Sequence, residues 1–217
     1  MSKPKICTVE ELEEYLGKTV SERRYIHSVG VANTTKSLLE KYGSSVAKET
    51  WNDFCAPIFC GLAHDLAREL SDGLIVQYCE ENGLILTKEE IVSPVLAHGL
   101  VSADMAKKLC GDYPASWERA IRVHTVGSTN MDDLALALFS ADFIEPSRRF
   151  MTEERRAYYL SAPNLASCAY RILCDMLDHW KKSGNFEPSE AAMAMKTELE
   201  EKGCAEGRFP WNEDWRK

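Results

Sequence analysis

Six residues constrain this chain more than any other feature: His27, the adjacent pair His64-Asp65, His98, His124 and Asp142. Each lies inside or at the edge of an apolar segment with helical periodicity, where an unpaired polar group is costly to bury. A fold that buries them therefore has to give them partners. Four of the chain's 5 histidines fall in this one ordered set. Imidazole and carboxylate together are also the donors that a hydrolytic transition-metal site needs. A lone helical histidine is more often a surface or hydrogen-bonded core residue, and His179, in Leu177-Asp178-His179-Trp180, takes that reading.

The periodicity around these residues is helical nearly throughout. Thr8-Val9-Glu10-Glu11 and Thr87-Lys88-Glu89-Glu90 are capping boxes that open helices, with Pro94 early enough in the second to be tolerated. Ser21 can cap a helix that places Tyr25, Ile26, Val29, Leu38 and Leu39 broadly on one face and ends near Gly43. A third helix is expected from about Trp51 to Arg68, carrying the apolar run from Ile58 to Ala63 into His64-Asp65. A fourth starts at Ser71 and stops near Asn82-Gly83. Further helices are expected at about 99–110, 115–125, 131–145, 150–160, 164–183 and 188–202. No sustained alternating run bounded by hairpin turns marks a strand. The expected fold class is all-α. The best boundary is Ser183-Gly184-Asn185-Phe186-Glu187-Pro188, which divides a body of residues 1–185 from a C-terminal helix and tail, 186–217, that carries Trp211 and Trp215.

Composition narrows the function. A length of 217 residues suits one large domain, and 45% hydrophobic content is ample for a core. No run approaches the roughly 18 apolar residues that cross a bilayer. The N-terminus lacks the apolar core of a signal peptide, so the expected location is cytoplasmic with no membrane partner. The 8 cysteines are scattered and form no CxxC, which argues against a zinc ribbon and for reduced thiols on helix faces. The net charge of −8 argues against a nucleic-acid partner, whose binding rests on a basic surface. A small phosphorylated substrate stays compatible, because metal ions and a few arginines can supply positive charge locally.

The six residues can build a two-metal centre. Asp65 has two oxygens and can bridge two ions, with His27, His64 and Asp142 completing one and His98 and His124 the other. Mixed nitrogen and oxygen ligands with open positions suit iron or manganese, and zinc less well where coordination exceeds four.

His27, His64-Asp65 and Asp142 match the H…HD…D pattern of the HD-domain superfamily of metal-dependent phosphohydrolases. In more detail, Arg24-Tyr25-Ile26-His27-Ser28, His64-Asp65-Leu66-Ala67-Arg68, His98-Gly99, the run from Ala120 to Gly127 and the run from Ala141 to Arg148 resemble the YqeK branch of bacterial symmetrical bis(5′-nucleosyl)-tetraphosphatases. The resemblance spans about residues 20–183. Its most specific part is the segment AD-x-IEP-x-R after HT-x-G. Arg68 stands where that branch usually has lysine, and Val126 replaces a second threonine.

The resemblance implies an HD helical fold, a di-iron centre and symmetrical hydrolysis of diadenosine tetraphosphate to two ADP. By motif, His27, His64, Asp65 and Asp142 hold one metal, while Asp65, His98 and His124 hold the other. The expected nucleophile is a metal-bound hydroxide attacking a central phosphorus. Asp65 and Arg68 take the catalytic roles. Arg24, Arg68, Thr125, Gly127 and Arg148 are the candidates for substrate binding, with a structural ion pair for Arg24 and Arg148, a solvated helix-end arginine for Arg68 and a capped turn at Thr125 as the plainer alternatives. Glu145 can orient a ligand histidine or pair with an arginine. Three other functions are compatible with the residues: a different HD-type nucleotide phosphohydrolase, a di-iron oxygenase, and a non-catalytic HD binding module. The C-terminal helix has two open roles, closing the pocket or forming a homodimer.

Overall fold

Local signals decide where the helices begin and end. In the computed structural model, which describes residues 6, 8–183 and 188–205, α1 (Val9–Thr19) opens on the Thr8 capping box and α2 (Glu22–Lys41) on the Ser21 side chain, which accepts from the Arg24 amide. Such caps contribute about 1 kcal/mol each, because the first amides of a helix have no partner inside it. A two-residue hairpin follows, β1 (Thr50–Trp51) paired antiparallel with β2 (Phe54–Cys55). Then come α3 (Ala56–Ala63), α4 (Asp72–Asn82) and α5 (Lys88–Val92). The remaining helices are α6 (His98–Cys110), α7 (Ala115–Val123), α8 (Asp133–Ile144), α9 (Glu153–Leu160), α10 (Leu165–Ser183) and α11 (Glu190–Glu201). The all-α expectation is met, apart from the small hairpin.

Two boundaries differ from the sequence reading. The third helix starts at Ala56 rather than near Trp51, because Asn52 turns the chain at positive φ and Pro57 sits at the helix start, where its missing N–H costs nothing. It also ends at Ala63, and residues 64–69 continue as tight turns, with the Arg68 amide donating to the Asp65 carbonyl. Pro94 is not absorbed early in the helix opened by Thr87. α5 stops at Val92, and Pro94 begins a short 3₁₀ turn, Pro94–Ala97, that runs directly into α6. The expected boundary at Gly184–Glu187 and the tail with Trp211 and Trp215 lie outside the described residues. Within them, α11 packs on α10 and buries Met195 and Leu199.

The helix α8 forms the centre. Every residue from Leu134 to Ile144 is buried except Asp142, the behaviour of a helix surrounded by others. α2, α7 and α10 pack around it, α3 lies against α2, and α6 against α7. Phe54, Phe59, Tyr113 and Trp117 make an aromatic cluster beneath α3. Two crossings need glycine. A Cβ on Gly61 would stand 2.2 Å from the Ala32 backbone, and one on Gly99 would stand 2.8 Å from the Arg122 carbonyl. Only a bare backbone lets α3 close on α2, and α6 on α7. No disulfide links the described cysteines, and no described helix is long and apolar enough to cross a membrane.

Candidate metal centre

Three of the four histidines sit at helix ends. His64 follows α3, His98 opens α6 after the 3₁₀ turn, and His124 follows α7. Each ring uses Nδ1 in the same way, on the carbonyl three residues earlier. His64 reaches Gly61 O at 2.7 Å, His98 reaches Val95 O at 2.6 Å, and His124 reaches Ile121 O at 2.7 Å. A carbonyl only accepts, so Nδ1 carries the proton and Nε2 is left with a lone pair. His27 lies within α2 and donates Nδ1–H to Glu145 Oε1 at 2.9 Å.

The four Nε2 atoms converge on Asp65. His27 and His64 Nε2 are 3.3 Å apart, as are His98 and His124 Nε2 at 3.1 Å. The Asp65 carboxylate stands between the pairs and divides its oxygens. Oδ2 lies 3.3 Å from His64 and 3.5 Å from His27, while Oδ1 lies 3.2 Å from His98 and 3.6 Å from His124. Asp142 joins the first pair, with Oδ1 3.0 Å from His27 Nε2 and 3.7 Å from His64 Nε2. All six residues meet in one cluster.

The donor chemistry fits divalent cations. Two groups, His27-His64-Asp65 and Asp65-His98-His124, each bring three potential ligand atoms within 4.8 Å of one another. Facing imidazole lone pairs repel unless a proton or a metal lies between them. Burial opposes charge on His27, yet its hydrogen bonds to Asp142, Asp65 and Glu145 raise its pKa to about 10. His64 is raised by the two aspartates against its own burial, whereas burial lowers His124. Burial raises Asp65 and Asp142, but the histidines around both and Arg148 beside Asp142 hold them well below the usual carboxylate range. A buried carboxylate, Asp65, and a partly buried one, Asp142, that both stay charged call for positive charge among them.

The other predicted residues fall in distinct places. Arg24 donates to Asp65 Oδ2, and Arg148 donates to Asp142 Oδ1 and, through Nε, to the Asp142 carbonyl at 2.8 Å. Thr125 Oγ1 is 3.2 Å from His98 Nε2 and 3.3 Å from His124 Nε2, against the second group. Gly127 is buried at positive φ, and a Cβ there would meet Met195 Sδ of α11 at 2.3 Å. The Arg68 side chain is half-buried and takes part in none of the cluster's ion pairs. Glu145 accepts from both the amide and the hydroxyl of Ser147, at 2.6 Å each, and so holds His27 from a fixed position. Ser147 was not singled out as a site residue in the sequence. Neither were Arg23, Ile26, Arg149 and Phe150, which line a cavity of about 390 Å³ beside His27. The doublets Arg23-Arg24 and Arg148-Arg149 were the available signal.

A helical body with this H…HD…D cluster at its centre defines a hydrolase of the HD superfamily. A solved structure from Clostridium acetobutylicum, described as a predicted HD superfamily hydrolase involved in NAD metabolism, superposes with a TM-score of 0.79 at 26% identity, covering 90% of this chain and 98% of that one. No family model matches the sequence. The symmetrical bis(5′-nucleosyl)-tetraphosphatase of Bacillus subtilis is 32% identical over 147 residues, 65% of this chain and 71% of its own length. Those of Halalkalibacterium halodurans and Staphylococcus aureus are 29% and 28% identical, each over 68% of its length. The chain belongs to the symmetrical bis(5′-nucleosyl)-tetraphosphatase family.

Proposed function

We propose that the protein hydrolyses diadenosine tetraphosphate, or a related dinucleoside polyphosphate, at its centre to give two nucleoside diphosphates. The observation that carries this reading is the division of the Asp65 carboxylate, one oxygen toward each pair of imidazole nitrogens, with two arginines on the cluster's carboxylates. In this reading His27, His64, Asp65 and Asp142 hold one divalent ion, and Asp65, His98 and His124 hold a second. Iron, which the family resemblance implies, is our first choice and manganese the next; both accept mixed nitrogen and oxygen donors. Such ions, when bound, lower the pKa of water and neutralise phosphoryl oxygens.

The chain's own groups do the rest. Glu145, Gly61 O, Val95 O and Ile121 O keep the Nδ1 protons in place, so each Nε2 stays a ligand. Arg24 and Arg148 stand at the cluster edge, where a phosphate can share or take over their carboxylate bonds. Thr125 offers a hydroxyl beside His98 and His124. In the reaction a water oxygen bonds to one of the two central phosphorus atoms, the water gives up a proton to solvent, and the bond from that phosphorus to the bridging oxygen breaks. The bridging oxygen leaves with the second ADP. That group is a fair leaving group, so no strong general acid is required.

The test is anaerobic hydrolysis of diadenosine tetraphosphate by iron-loaded protein, with the products separated by chromatography. ADP alone, lost on metal removal, is the expected result. AMP with ATP overturns central attack. Turnover without oxygen also excludes an oxygenase. The description of the Clostridium relative favours a second reading, another HD-type nucleotide phosphohydrolase, so NAD and other pyrophosphate-linked nucleotides belong on the same panel.

A further inference from the structure

The segments that carry the four histidines are held in different ways. His27 and His64 come from α2 and the end of α3, helices that pack on each other and on the central α8. His98 and His124 stand where helices meet irregular chain. His98 follows the 3₁₀ turn Pro94–Ala97, and His124 leads into the connection over residues 125–132 that precedes α8. Their Nε2 atoms nonetheless lie 3.1 Å apart, so two separate connections have to be fixed relative to one point.

One helix reaches both connections. α11 packs on α10, where the Tyr170 hydroxyl donates to Glu200 Oε1 at 2.9 Å. At the start of α11, Glu89 of α5 accepts from the Glu190 amide at 3.4 Å, and a carboxylate is favoured at a helix N-terminus. α5 in turn packs on the 3₁₀ turn that delivers His98. Halfway along α11, buried Met195 sits over Gly127, three residues after His124. The φ of +78° there, and the 2.3 Å between Met195 Sδ and a Cβ at that position, leave room for glycine alone. One turn later, Glu198 Oε2 accepts from the Asn130 amide at 2.7 Å, on a residue in the left-handed conformation. Arg119 of α7 holds the same loop, donating to the Thr129 and Asn130 carbonyls at 2.7 and 2.8 Å. The contacts from Glu190 to Glu198 are spread over about 12 Å of helix.

We propose that α11 is a brace for the second half of the cluster: it ties the segment before His98 to the loop after His124 and so fixes the spacing of the two imidazoles. Met195 and Glu198 are its positioning residues, acting on the backbone behind His124. The inference rests on the two-ion reading above and adds that the C-terminal helix sets the affinity for the second ion and not for the first. His98 and His124 aim their own rings through their own carbonyls, and the brace sets only where the aimed rings stand. Its loss is therefore graded, since a displaced ring keeps its aim.

The experiment titrates the full-length, iron-loaded protein with a chelator, counting metal per chain by elemental analysis. It also follows hydrogen–deuterium exchange of residues 124–132 in the metal-free protein. Met195→Ala and Glu198→Ala are expected to weaken one of two ions about tenfold, the lower end of what support behind a ligand is worth, with the other ion unchanged. Exchange across residues 124–132 becomes faster in both. Met195→Leu, which nearly conserves volume, and Glu198→Gln, which keeps an acceptor for the Asn130 amide, restore both readouts. In a His98→Ala background, where only the first ion is left, Glu198→Ala changes nothing further. Glu198 is only half-buried, so Glu198→Ala keeps the test intact if the cavity left by Met195→Ala unfolds the helix. Two ions held as tightly in Glu198→Ala as in the wild type overturn the brace, as does an equal loss of both. If the wild type holds a single ion, the two-ion reading falls, and exchange in the metal-free protein decides the brace by itself: unchanged exchange of residues 124–132 in Glu198→Ala overturns it.

Discussion

The two halves of the cluster share Asp65 but are built differently. The half around His27 and His64 is rich in charge: Asp142 joins it, Glu145 holds the His27 ring, and arginines bond both aspartates. The half around His98 and His124 is supported by neutral groups, two backbone carbonyls and the Thr125 hydroxyl, and burial lowers the His124 pKa. An extra carboxylate strengthens the hold on a cation, and a carboxylate behind an imidazole makes the ring a better ligand. The first half should therefore keep its ion longer than the second when metal is scarce.

Substitutions can break this comparison in order of effect. Asp65→Ala should remove both ions and reduce hydrolysis to background, because it deprives both halves at once. Elemental analysis that still found two metals per chain would sink the bridging assignment. His98→Ala should leave one ion per chain in the first half and also abolish turnover, a stoichiometry that the same analysis reads directly. Glu145→Gln should lower metal affinity of the first half by about 10–100-fold without changing the second, measured by competition with a chelator.

Backbone changes sharpen the contrast further. Gly61→Ala forces α3 from α2, and Gly99→Ala forces α6 from α7. Each should cost about 1–3 kcal/mol in denaturant unfolding, as overpacked cores do, with metal loss confined to the half whose helices part. The smallest effect belongs to Arg68→Ala. Metal content should stay intact and KM should rise modestly through weaker phosphate binding. An unchanged kcat and KM would remove Arg68 from the site, in keeping with its absence from the cluster's ion pairs.

Much of this was legible in the chain because the signals are local. Thr8 and Thr87 both form complete capping boxes, and Gly83 ends α4 in the left-handed conformation. The six cluster residues were legible for a different reason: polar groups inside apolar helical runs need partners. The hairpin at Thr50–Cys55 was not legible, since a turn at Asn52 leaves only two residues per strand and no alternation to read. Pro94 was misplaced because a capping box marks where a helix begins and is silent on its length. The orientation of the His27 ring by Glu145 and the meeting of Arg23-Arg24 with Arg148-Arg149 depend on contacts between residues more than a hundred positions apart. Local periodicity carries no trace of those.

The repeated bond from Nδ1 to the carbonyl three residues back separates two tasks that a metal site must perform. For His64, His98 and His124 aiming is done within each segment, by the histidine and its own backbone. The helix packing then has only to bring three pre-aimed ends to one point, which is a problem of position and not of angle. A site divided in this way tolerates drift in the outer helices, because displacement of one segment moves a ligand without turning it.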